Sequence, residues 1–432
     1  MGANLDRRRF VRLAALSGAA ALAGCGTSSS LGDRQPVKLG YVSPQSGPLL
    51  GFGEADTFVI EGAKRVFRDG IELGGRAHPV EILVRDSQSN PARAAEVARD
   101  LIDRDQVSLM LVSSTPETTN PVADACEAAG MPCISTVTPY QTWYLARHPA
   151  PSSASRTPYR WTWHFYWGLE DIVEVFADMW GQVENNRVIG GLWPDDGDGR
   201  AWGRRFPAVL RNQGYRIVDL GRYQPEKDSF EPEIERFKAE GVDIVTGVPL
   251  PADFATFWKQ AAELGYRPKI ASVGKALQFP AFFEAMGTAA GVSTEVAWSP
   301  HHPFTSSLTG ASAAQLASDY QAATGRQWIQ PLGFVHALFE VAASVVKRVG
   351  DLGDRQAMAD AIKATRMGTI VGPVDWTGAQ AEVPNVSRTP LVGGQWHRGG
   401  SWPFELEIVS NTVHPEIPAT GTLQPVAALQ ER

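Results

Sequence analysis

Hydroxyl side chains follow two apolar runs in the first third of the chain. Ser113-Ser114-Thr115 comes directly after Val107–Val112, and Thr136-Val137-Thr138 comes at the end of the run that starts at Cys133. Hydroxyls and free backbone N–H groups are good partners for a carboxylate or an amide. The two loops therefore have the chemistry of a small-molecule contact, and helix caps or turns are the competing interpretation.

Aromatic side chains are dense between Pro139 and Gly168, where Pro, Ser and Arg also interrupt the regular pattern. Large rings give a ligand apolar contact at low entropic cost, and the stretch is richer in them than a connector needs. Alternate residues of a strand face opposite ways, so Trp163 and Tyr166 cannot both point at a ligand from one strand. Both choices stay open. The aromatic residues that we expect near a ligand are Trp143, Trp163 and Trp167.

The patterns that would indicate an enzyme or a bound metal are incomplete. No Gly-x-Ser-x-Gly elbow is present, and Gly51-Phe52-Gly53 lacks the third glycine of a dinucleotide fingerprint. Asp195, Asp196 and Asp198 lack the spacing and the terminal glutamate of a calcium loop, and His301-His302 has no further ligands at useful spacing. The sequence therefore predicts no catalytic residue, no metal site and no cofactor.

The first residues have the pattern of an export signal. Arg7-Arg8-Arg9 precedes the apolar stretch Leu13–Ala23, which is too short to span a bilayer comfortably and resembles a twin-arginine signal. Leu22-Ala23-Gly24-Cys25 matches a lipobox, in which the signal is cut before a cysteine that takes a diacylglycerol. We expect residues 1–25 to be a lipoprotein signal with Cys25 lipidated, and residues 26–35 to be a flexible tether. A plain secretory signal is the alternative.

Composition narrows the partners of the remaining chain. The net charge is −7 and no basic stripe occurs, which argues against nucleic acid. Roughly 400 residues follow the signal, more than one core usually supports, so two domains are expected. Of the chain's 3 cysteines, Cys126 and Cys133 remain after Cys25. A disulfide between them and two separately buried thiols fit the sequence equally well.

From Val37 onward, short β-branched runs alternate with amphipathic helical stretches, which indicates parallel sheets covered by helices. Within this pattern the chain resembles the leucine-isoleucine-valine-binding family, periplasmic binding proteins of type I fold. The residues that carry the resemblance are Gly40-Tyr41-Val42, Ser46–Gly53, Asp86–Pro91, Pro121–Asp124 and Gly130–Ser135.

The resemblance implies two parallel-sheet α/β lobes joined by a three-segment hinge, with a ligand cleft at the carboxyl ends of the strands. It implies that both lobes are assembled from discontinuous segments. The expected division is residues 36–158 and 297–371 for the first lobe, 159–296 and 372–416 for the second, and 417–432 for a tail.

The resemblance also assigns roles to particular residues. In the family, the hydroxyl-bearing loops hold the ligand's carboxylate, here Ser114, Thr115, Thr136 and Thr138. Phe52 lies where the family places an aromatic wall. Trp202-Gly203 lies where the second lobe supplies a Tyr-Gly pair. Leu250 is a further expected contact.

The expected contact at Lys275 departs from the family. Amino-acid binders place a carboxylate at this strand end to meet the α-ammonium, and this chain has Gly274-Lys275. A lysine would repel an ammonium group and attract an acid, which puts amino-acid binding in doubt. A solvated surface lysine is the alternative.

By this resemblance the protein is a lipid-anchored, extracytoplasmic solute-binding protein, not an enzyme. We expect it to be monomeric, to close over a small polar or acidic molecule, with an aromatic-containing or amino-acid-like solute included, and to deliver it to the permease of an ABC importer. A sensory receptor of the same fold is the alternative, and an anchored hydrolase is a weaker one.

Overall fold

The computed structural model describes residues 34–148, 157–286, 290–378 and 383–430. The predicted signal, Cys25 and tether residues 26–33 lie outside this part of the chain. Within it, none of the helices is both long enough and apolar enough to cross a membrane.

The elements alternate between strand and helix as the sequence predicts. Up to the first aromatic-rich connection they are β1 (Val37–Ser43), α1 (Asp56–Val66), β2 (Ile71–Leu73), β3 (Arg76–His78), β4 (Val80–Asp86), α2 (Pro91–Asp103), β5 (Leu109–Ser113), α3 (Pro116–Ala129), β6 (Cys133–Thr136), α4 (Tyr140–Tyr144) and β7 (Thr162–Phe165). Then follow α5 (Leu169–Gly181), β8 (Val188–Pro194), α6 (Gly197–Leu210), β9 (Arg216–Val218), β10 (Arg222–Tyr223), α7 (Glu231–Ala239), β11 (Ile244–Gly247), α8 (Pro251–Glu263), β12 (Ile270–Val273), α9 (Ala281–Met286) and β13 (Ser293–Val296). The last are α10 (Ala313–Thr324), α11 (Pro331–Val346), α12 (Arg355–Lys363), β14 (Arg366–Thr369), β15 (Gly372–Asp375), β16 (Val386–Ser387), β17 (Val392–Arg398), β18 (Phe404–Ser410) and α13 (Val426–Gln430).

The first sheet has the strand order β16-β7-β6-β5-β1-β4, and all neighbouring strands are parallel. Its central strand β5 is buried along its whole length, as expected for a parallel sheet covered on both faces. Helix α11 packs against β5 and β6, so the late helices return to this sheet as predicted. We call this sheet and its helices the first lobe.

The second sheet has the order β10-β8-β11-β12-β13-β17-β18, with β9 also paired to β8. Strands β8, β11, β12 and β13 are parallel to one another. Strand β17 pairs antiparallel with β13, and β18 pairs antiparallel with β17. The sheet is therefore mixed at one edge. We call this sheet and its helices the second lobe, and the fold is the type I arrangement that the resemblance implies.

The expected lobe boundaries need correction at two strands. Residues 162–165 pair with β6 and residues 386–387 pair with β7, so both segments belong to the first sheet. The boundaries at residues 159 and 372 placed them in the second lobe, because the irregular composition on either side hides two very short strands. The chain instead crosses between the sheets after Phe165 and again after Ser387.

Two helices begin earlier than their periodicity suggests, and both changes matter for the cleft. The apolar pattern of the sequence predicts a helix over residues 121–129, but Pro116 occupies the first turn of α3 and Pro121 lies inside it. The pattern likewise predicts a helix over residues 201–212, but α6 begins at Gly197, and Asp196 caps it by accepting from the Gly199 N–H at 2.7 Å. These shifts place Glu117 and Asp198 in first helical turns.

Both remaining cysteines are free thiols in the first lobe. Cys126 lies on α3 and Cys133 on β6, and each is buried in the same apolar cluster. Burial raises the pKa of the Cys126 thiol well above its ordinary value, so it is a weak nucleophile. Of the two alternatives, the structure contains the pair of buried thiols.

Candidate ligand-binding site

A small cavity of about 20 Å³ lies between the two sheets. The first lobe contributes Phe52, Thr115, Val137, Pro139, Tyr166 and Trp167 to its lining. The second lobe contributes Asp198, Trp202, Val248, Lys275, Gln278 and Glu295.

The cavity lies at the carboxyl ends of the parallel strands. Thr115 and Val137 follow β5 and β6 in the first sheet, and Val248 and Lys275 follow β11 and β12 in the second. Loops at these strand ends are the usual ligand sites of open parallel sheets. Each sheet therefore presents its ligand-binding edge to the other.

Aromatic rings form much of the cavity wall. Trp167 and Trp202 come from opposite lobes, and their ring centroids are 6.4 Å apart with an interplanar angle of 71°. The other face of Trp202 stacks on Phe206, with centroids 4.9 Å apart. Trp202 is therefore both a cavity residue and part of the second lobe's core.

A second aromatic pair crosses the cleft beside the cavity. The Phe52 and Phe279 ring centroids are 4.9 Å apart, and the rings meet edge to face. Phe52 lines the cavity, whereas its neighbours Gly51 and Gly53 line a larger outer groove between the lobes. The pair thus separates the inner cavity from that groove.

The second lobe carries a buried ion cluster around Lys275. The Lys275 Nζ lies 3.1 Å from Asp196 Oδ2 and 2.9 Å from Asp198 Oδ2. Burial alone would lower the pKa of Lys275, but these carboxylates outweigh it and raise that pKa above its ordinary value. The ammonium group is therefore charged and already paired.

The carboxylates of the cluster are short of positive charge. Burial raises the pKa of Asp198 to about 7, although Lys275 opposes the shift. Burial also raises the pKa of Glu295, whose Oε1 accepts from the Lys275 backbone N–H at 3.1 Å and from Gln278 Nε2 at 2.7 Å. The single positive charge of Lys275 does not balance the negative charge of these buried carboxylates.

A hydrogen bond joins the two lobes next to the cavity. The Glu117 carboxylate, in the first turn of α3, accepts from the backbone N–H of Gly197 at 3.0 Å. Burial would raise the pKa of Glu117, but Lys275 and the hydrogen bonds that the carboxylate accepts together outweigh burial and lower that pKa. The lobes are therefore in contact around the cavity, in a closed arrangement.

Several buried polar atoms of the cavity residues have no hydrogen-bond partner among the described residues. They are Thr115 Oγ1, Trp167 Nε1, Asp198 Oδ1, Trp202 Nε1 and Gln278 Oε1. A buried polar atom without a partner costs roughly 1–3 kcal/mol, so native proteins rarely leave several together. A ligand with both donors and acceptors would satisfy them.

Two cavity residues have backbone conformations that L residues seldom adopt. Val137 has φ 67° and Lys275 has φ 61°, one in each lobe. Such conformations are costly for a β-branched residue in particular and are often retained at ligand sites.

Some sequence-predicted contacts line the cavity, and others lie elsewhere. Phe52, Thr115, Trp167, Trp202 and Lys275 line it. The Thr136 hydroxyl donates to the Phe165 carbonyl at 2.7 Å, and the Thr138 hydroxyl donates to the Ser114 carbonyl at 2.8 Å. Thr136 and Thr138 thus hold neighbouring strand ends together. Ser114 is fully buried behind Thr115 and is not part of the lining.

The remaining predicted residues also lie outside the inner cavity. Leu250 lines the outer groove. Trp143 stacks on His164 with centroids 4.9 Å apart, and Trp163 is buried in the apolar core. Strand β7 is buried on both faces, and none of its residues lines the cavity. Of the two choices that the sequence leaves open, Tyr166, just beyond the end of β7, lines the cavity, and Trp163 does not.

The predicted role of Lys275 needs correction. A free ammonium group was expected to attract an acidic ligand, but it is paired with Asp196 and Asp198 from its own lobe. From the sequence alone, aspartates among glycines predict a turn rather than a partner for Lys275. Their position after β8, two strands from β12 in the same sheet, was a signal that they would meet Lys275.

No group of His, Cys, Asp or Glu side chains in the described ranges is arranged to hold a metal ion.

The comparisons with known proteins agree with this geometry. A family model described as periplasmic binding protein matches residues 36–388. No curated protein sequence matches the chain. Among solved structures, the leucine-binding protein LivK of Thermotoga maritima is similar with a TM-score of 0.71 and 15% identity, covering 87% of this chain and 99% of that one.

Two further solved structures are similar and were determined with a ligand. LivJ of Streptococcus pneumoniae in complex with isoleucine has a TM-score of 0.69 and 14% identity, covering 87% of this chain and 100% of that one. A solute-binding protein of an ABC transporter from R. palustris, in complex with 4-hydroxybenzoate, has a TM-score of 0.69 and 14% identity, covering 92% and 100%. The family consists of solute-binding proteins and not of enzymes, which confirms that part of the prediction. The chain belongs to the periplasmic binding protein family.

Proposed function

We propose that this protein captures a small polar solute by closing its two lobes over it and delivers the solute to an ABC importer. The observation that carries the proposal is the set of unpartnered buried polar atoms around one interlobe cavity. Relatives of the same fold hold isoleucine or 4-hydroxybenzoate in their solved complexes, which supports a small ligand with polar and apolar parts.

Closure provides the mechanism. A ligand that contacts Thr115 and Trp167 in one lobe and Trp202 and Asp198 in the other can do so only while the lobes are together. Its binding energy therefore shifts the hinge equilibrium toward the closed form. Two contacts between the lobes stabilise the closed form and not the open one. They are the Glu117 to Gly197 hydrogen bond and the Phe52 to Phe279 ring contact. A permease would recognise that form.

The experiment combines a thermal-shift screen with small-angle scattering on the purified protein. The screen covers amino acids, amines, amides, aromatic acids and dicarboxylates, because a ligand that binds only the folded state raises the melting temperature. A hit must also reduce the radius of gyration. If no solute class gives both responses, the capture function is wrong.

Export and lipid anchoring belong to the same proposal. The twin-arginine and lipobox patterns support anchoring at Cys25 on the outer face of the cytoplasmic membrane. Cys25→Ser is expected to move the protein from the membrane fraction to the soluble extracytoplasmic fraction. Unchanged membrane association would contradict the anchor.

A further inference from the structure

The charges around the cavity are strongly unequal. Lys275 is the basic side chain of the lining, and Asp198 and Glu295 line the cavity with it. Asp196 and Glu117 stand directly behind, one bonded to Lys275 and the other to Gly197. An acidic ligand would add a further negative charge to this group, which costs energy in a buried site.

A buried carboxylate of the chain lies at the N-terminus of α3. Backbone N–H groups at a helix N-terminus favour an anion. Glu117 lies in the first turn of α3, and its carboxylate accepts from the Gly197 N–H at 3.0 Å. Glu117 would therefore repel a ligand carboxylate near this helix end.

Two free acceptors of the cavity point to a donor on the ligand, and the free indole N–H groups of Trp167 and Trp202 point to an uncharged acceptor on it. Asp198 Oδ2 is used by Lys275, but Asp198 Oδ1 is buried and unpartnered among the described residues, as is Gln278 Oε1. The Trp167 and Trp202 rings lie nearby, and aromatic faces attract cations. The raised pKa of Asp198 has the same origin, since a buried carboxylate without enough positive charge is hard to ionise.

We infer that the ligand is a small organic cation with N–H donors and without a carboxylate, and that Asp198 receives its charged nitrogen. The inference rests on the proposed function and narrows it to one solute class. A zwitterionic amino acid is disfavoured because its carboxylate would add negative charge beside Asp198 and Glu295 in the lining, with Glu117 behind them.

Matched ligand triads test this class by isothermal titration calorimetry. The first triad is 3-methylbutylamine, leucine and 4-methylpentanoate; the second is 2-phenylethylamine, phenylalanine and 3-phenylpropanoate; the third is agmatine, arginine and 5-guanidinopentanoate. Each shares one carbon skeleton and differs in its charged groups. We expect the amine of at least one triad to bind at least tenfold more tightly than its two partners. Tighter binding of the amino acid or acid in any triad, or no amine binding at all, overturns the inference.

Two variants locate the effect. Asp198→Asn is expected to weaken binding of the preferred amine at least tenfold, whereas Asp195→Asn, an exposed aspartate paired with Arg200, leaves it unchanged. Glu117→Gln keeps a carbonyl oxygen for the Gly197 N–H but removes the charge. Glu117→Gln should reduce the ratio of the affinity for the amine to the affinity for the matched amino acid. An unchanged preference would contradict the role of Glu117.

The outcomes distinguish this inference from the function it rests on. If leucine or 3-phenylpropanoate binds and reduces the radius of gyration, solute capture stands and the cationic ligand class is wrong. If no compound of any class causes closure, capture itself fails.

Discussion

At the scale of single residues, the site shows which roles a residue type can predict. Trp202 and Phe52 were placed by their spacing from recognisable motifs, and both line the cavity. The fate of Lys275 depended on Asp196, which is far away in sequence and was not recognisable as its partner. The hydroxyl of Thr136 satisfies a carbonyl of the neighbouring strand, which local sequence does not reveal. Local motifs thus pointed to residues that line the interlobe cavity, but the charge balance of that cavity depends on the tertiary structure.

Trp202→Phe tests the indole N–H without emptying the core. Phenylalanine can keep the stack on Phe206, so the melting temperature should change little, while the loss of the unpartnered Nε1 should weaken ligand binding about three- to tenfold. Trp202→Ala is less informative, because removing a side chain that is only 1% exposed costs about 3–5 kcal/mol of folding free energy. Calorimetric titration with the best solute of the screen measures the affinity. Unaltered affinity for Trp202→Phe would leave this indole a purely structural group.

Lys275→Met is expected to destabilise the protein strongly. It leaves Asp196 and Asp198 buried without their ammonium partner, and breaking a buried ion pair in this way costs about 3–5 kcal/mol. Urea unfolding measures the loss. Lys259→Met, at an exposed lysine near Glu263, should change the free energy of unfolding by less than about 0.5 kcal/mol. Equal effects of the two substitutions would mean that the cluster contributes nothing.

The free state of Cys126 and Cys133 predicts the result of a thiol assay. In a Cys25→Ser background, neither buried thiol should react with a thiol reagent in the native protein, and both should react after unfolding without reductant. If the two cysteines formed a disulfide, neither would react with the reagent in the unfolded protein either.

At the scale of elements, the sequence predicted most strands and helices because their apolar periodicity is strong. The pattern predicts a helix over Pro91–Asp103 and a strand over Ile270–Val273, which are the bounds of α2 and β12, and the late helix α11 packs on the first sheet as expected. Strand β7 was placed in the wrong lobe because the irregular, aromatic-rich composition around it hides its periodicity, and strand β16 because its two residues carry none. The early starts of α3 and α6 were missed because a proline and glycines obscured them, and those first turns hold Glu117 and Asp198.

Gly197→Ala tests the contact between the first turns of α3 and α6. A Cβ atom at Gly197 would lie 3.2 Å from Glu117 Oε1 and 3.3 Å from Pro116 Cβ, which is tight against the opposite lobe. Overpacking of this kind costs about 1–3 kcal/mol in the closed form, so the affinity for the solute should fall about tenfold or more. Scattering should show a larger radius of gyration at a given solute concentration.

Gly181→Ala is the matched control for that substitution. Gly181 ends α5 with open space around its would-be Cβ, so alanine should leave closure unchanged and stabilise the protein by up to about 1 kcal/mol. If Gly197→Ala binds as tightly as this control, the interlobe contact is not needed for closure.

At the scale of the whole molecule, the junction of the lobes combines three features that cost folding free energy. Buried polar atoms without a partner, strained backbone at Val137 and Lys275, and the carboxylates of Asp198 and Glu295 meet at one cavity. By contrast, the buried carboxylate of Asp171 is paired with Arg388. We therefore expect the free energy of unfolding to rise when a solute fills the interlobe cavity.

The stability gained from a cationic solute should depend on pH. The folded-state pKa of Asp198, about 7, lies above its unfolded value, so the unliganded protein loses stability from this group as the pH rises from about 4 to about 7. A cation that binds ionised Asp198 offsets the loss. Lys275, Asp196, Glu117 and Glu295 face the same group.

We therefore expect the affinity for the preferred amine probe to fall roughly tenfold between pH 8 and pH 6, as Asp198 becomes protonated. Calorimetric titration at both pH values measures the change, and Asp198→Asn should abolish it. An affinity that rises at lower pH would contradict the assignment of Asp198.

The Phe52 to Phe279 pair has a kinetic consequence. These rings meet between the inner cavity and the outer groove, one from each lobe, so they part whenever the lobes swing open. A trapped solute leaves past them only after that movement. Its residence time is then governed by how often the hinge opens rather than by the strength of any one polar contact, and relatives with equal affinities could differ widely in release rate.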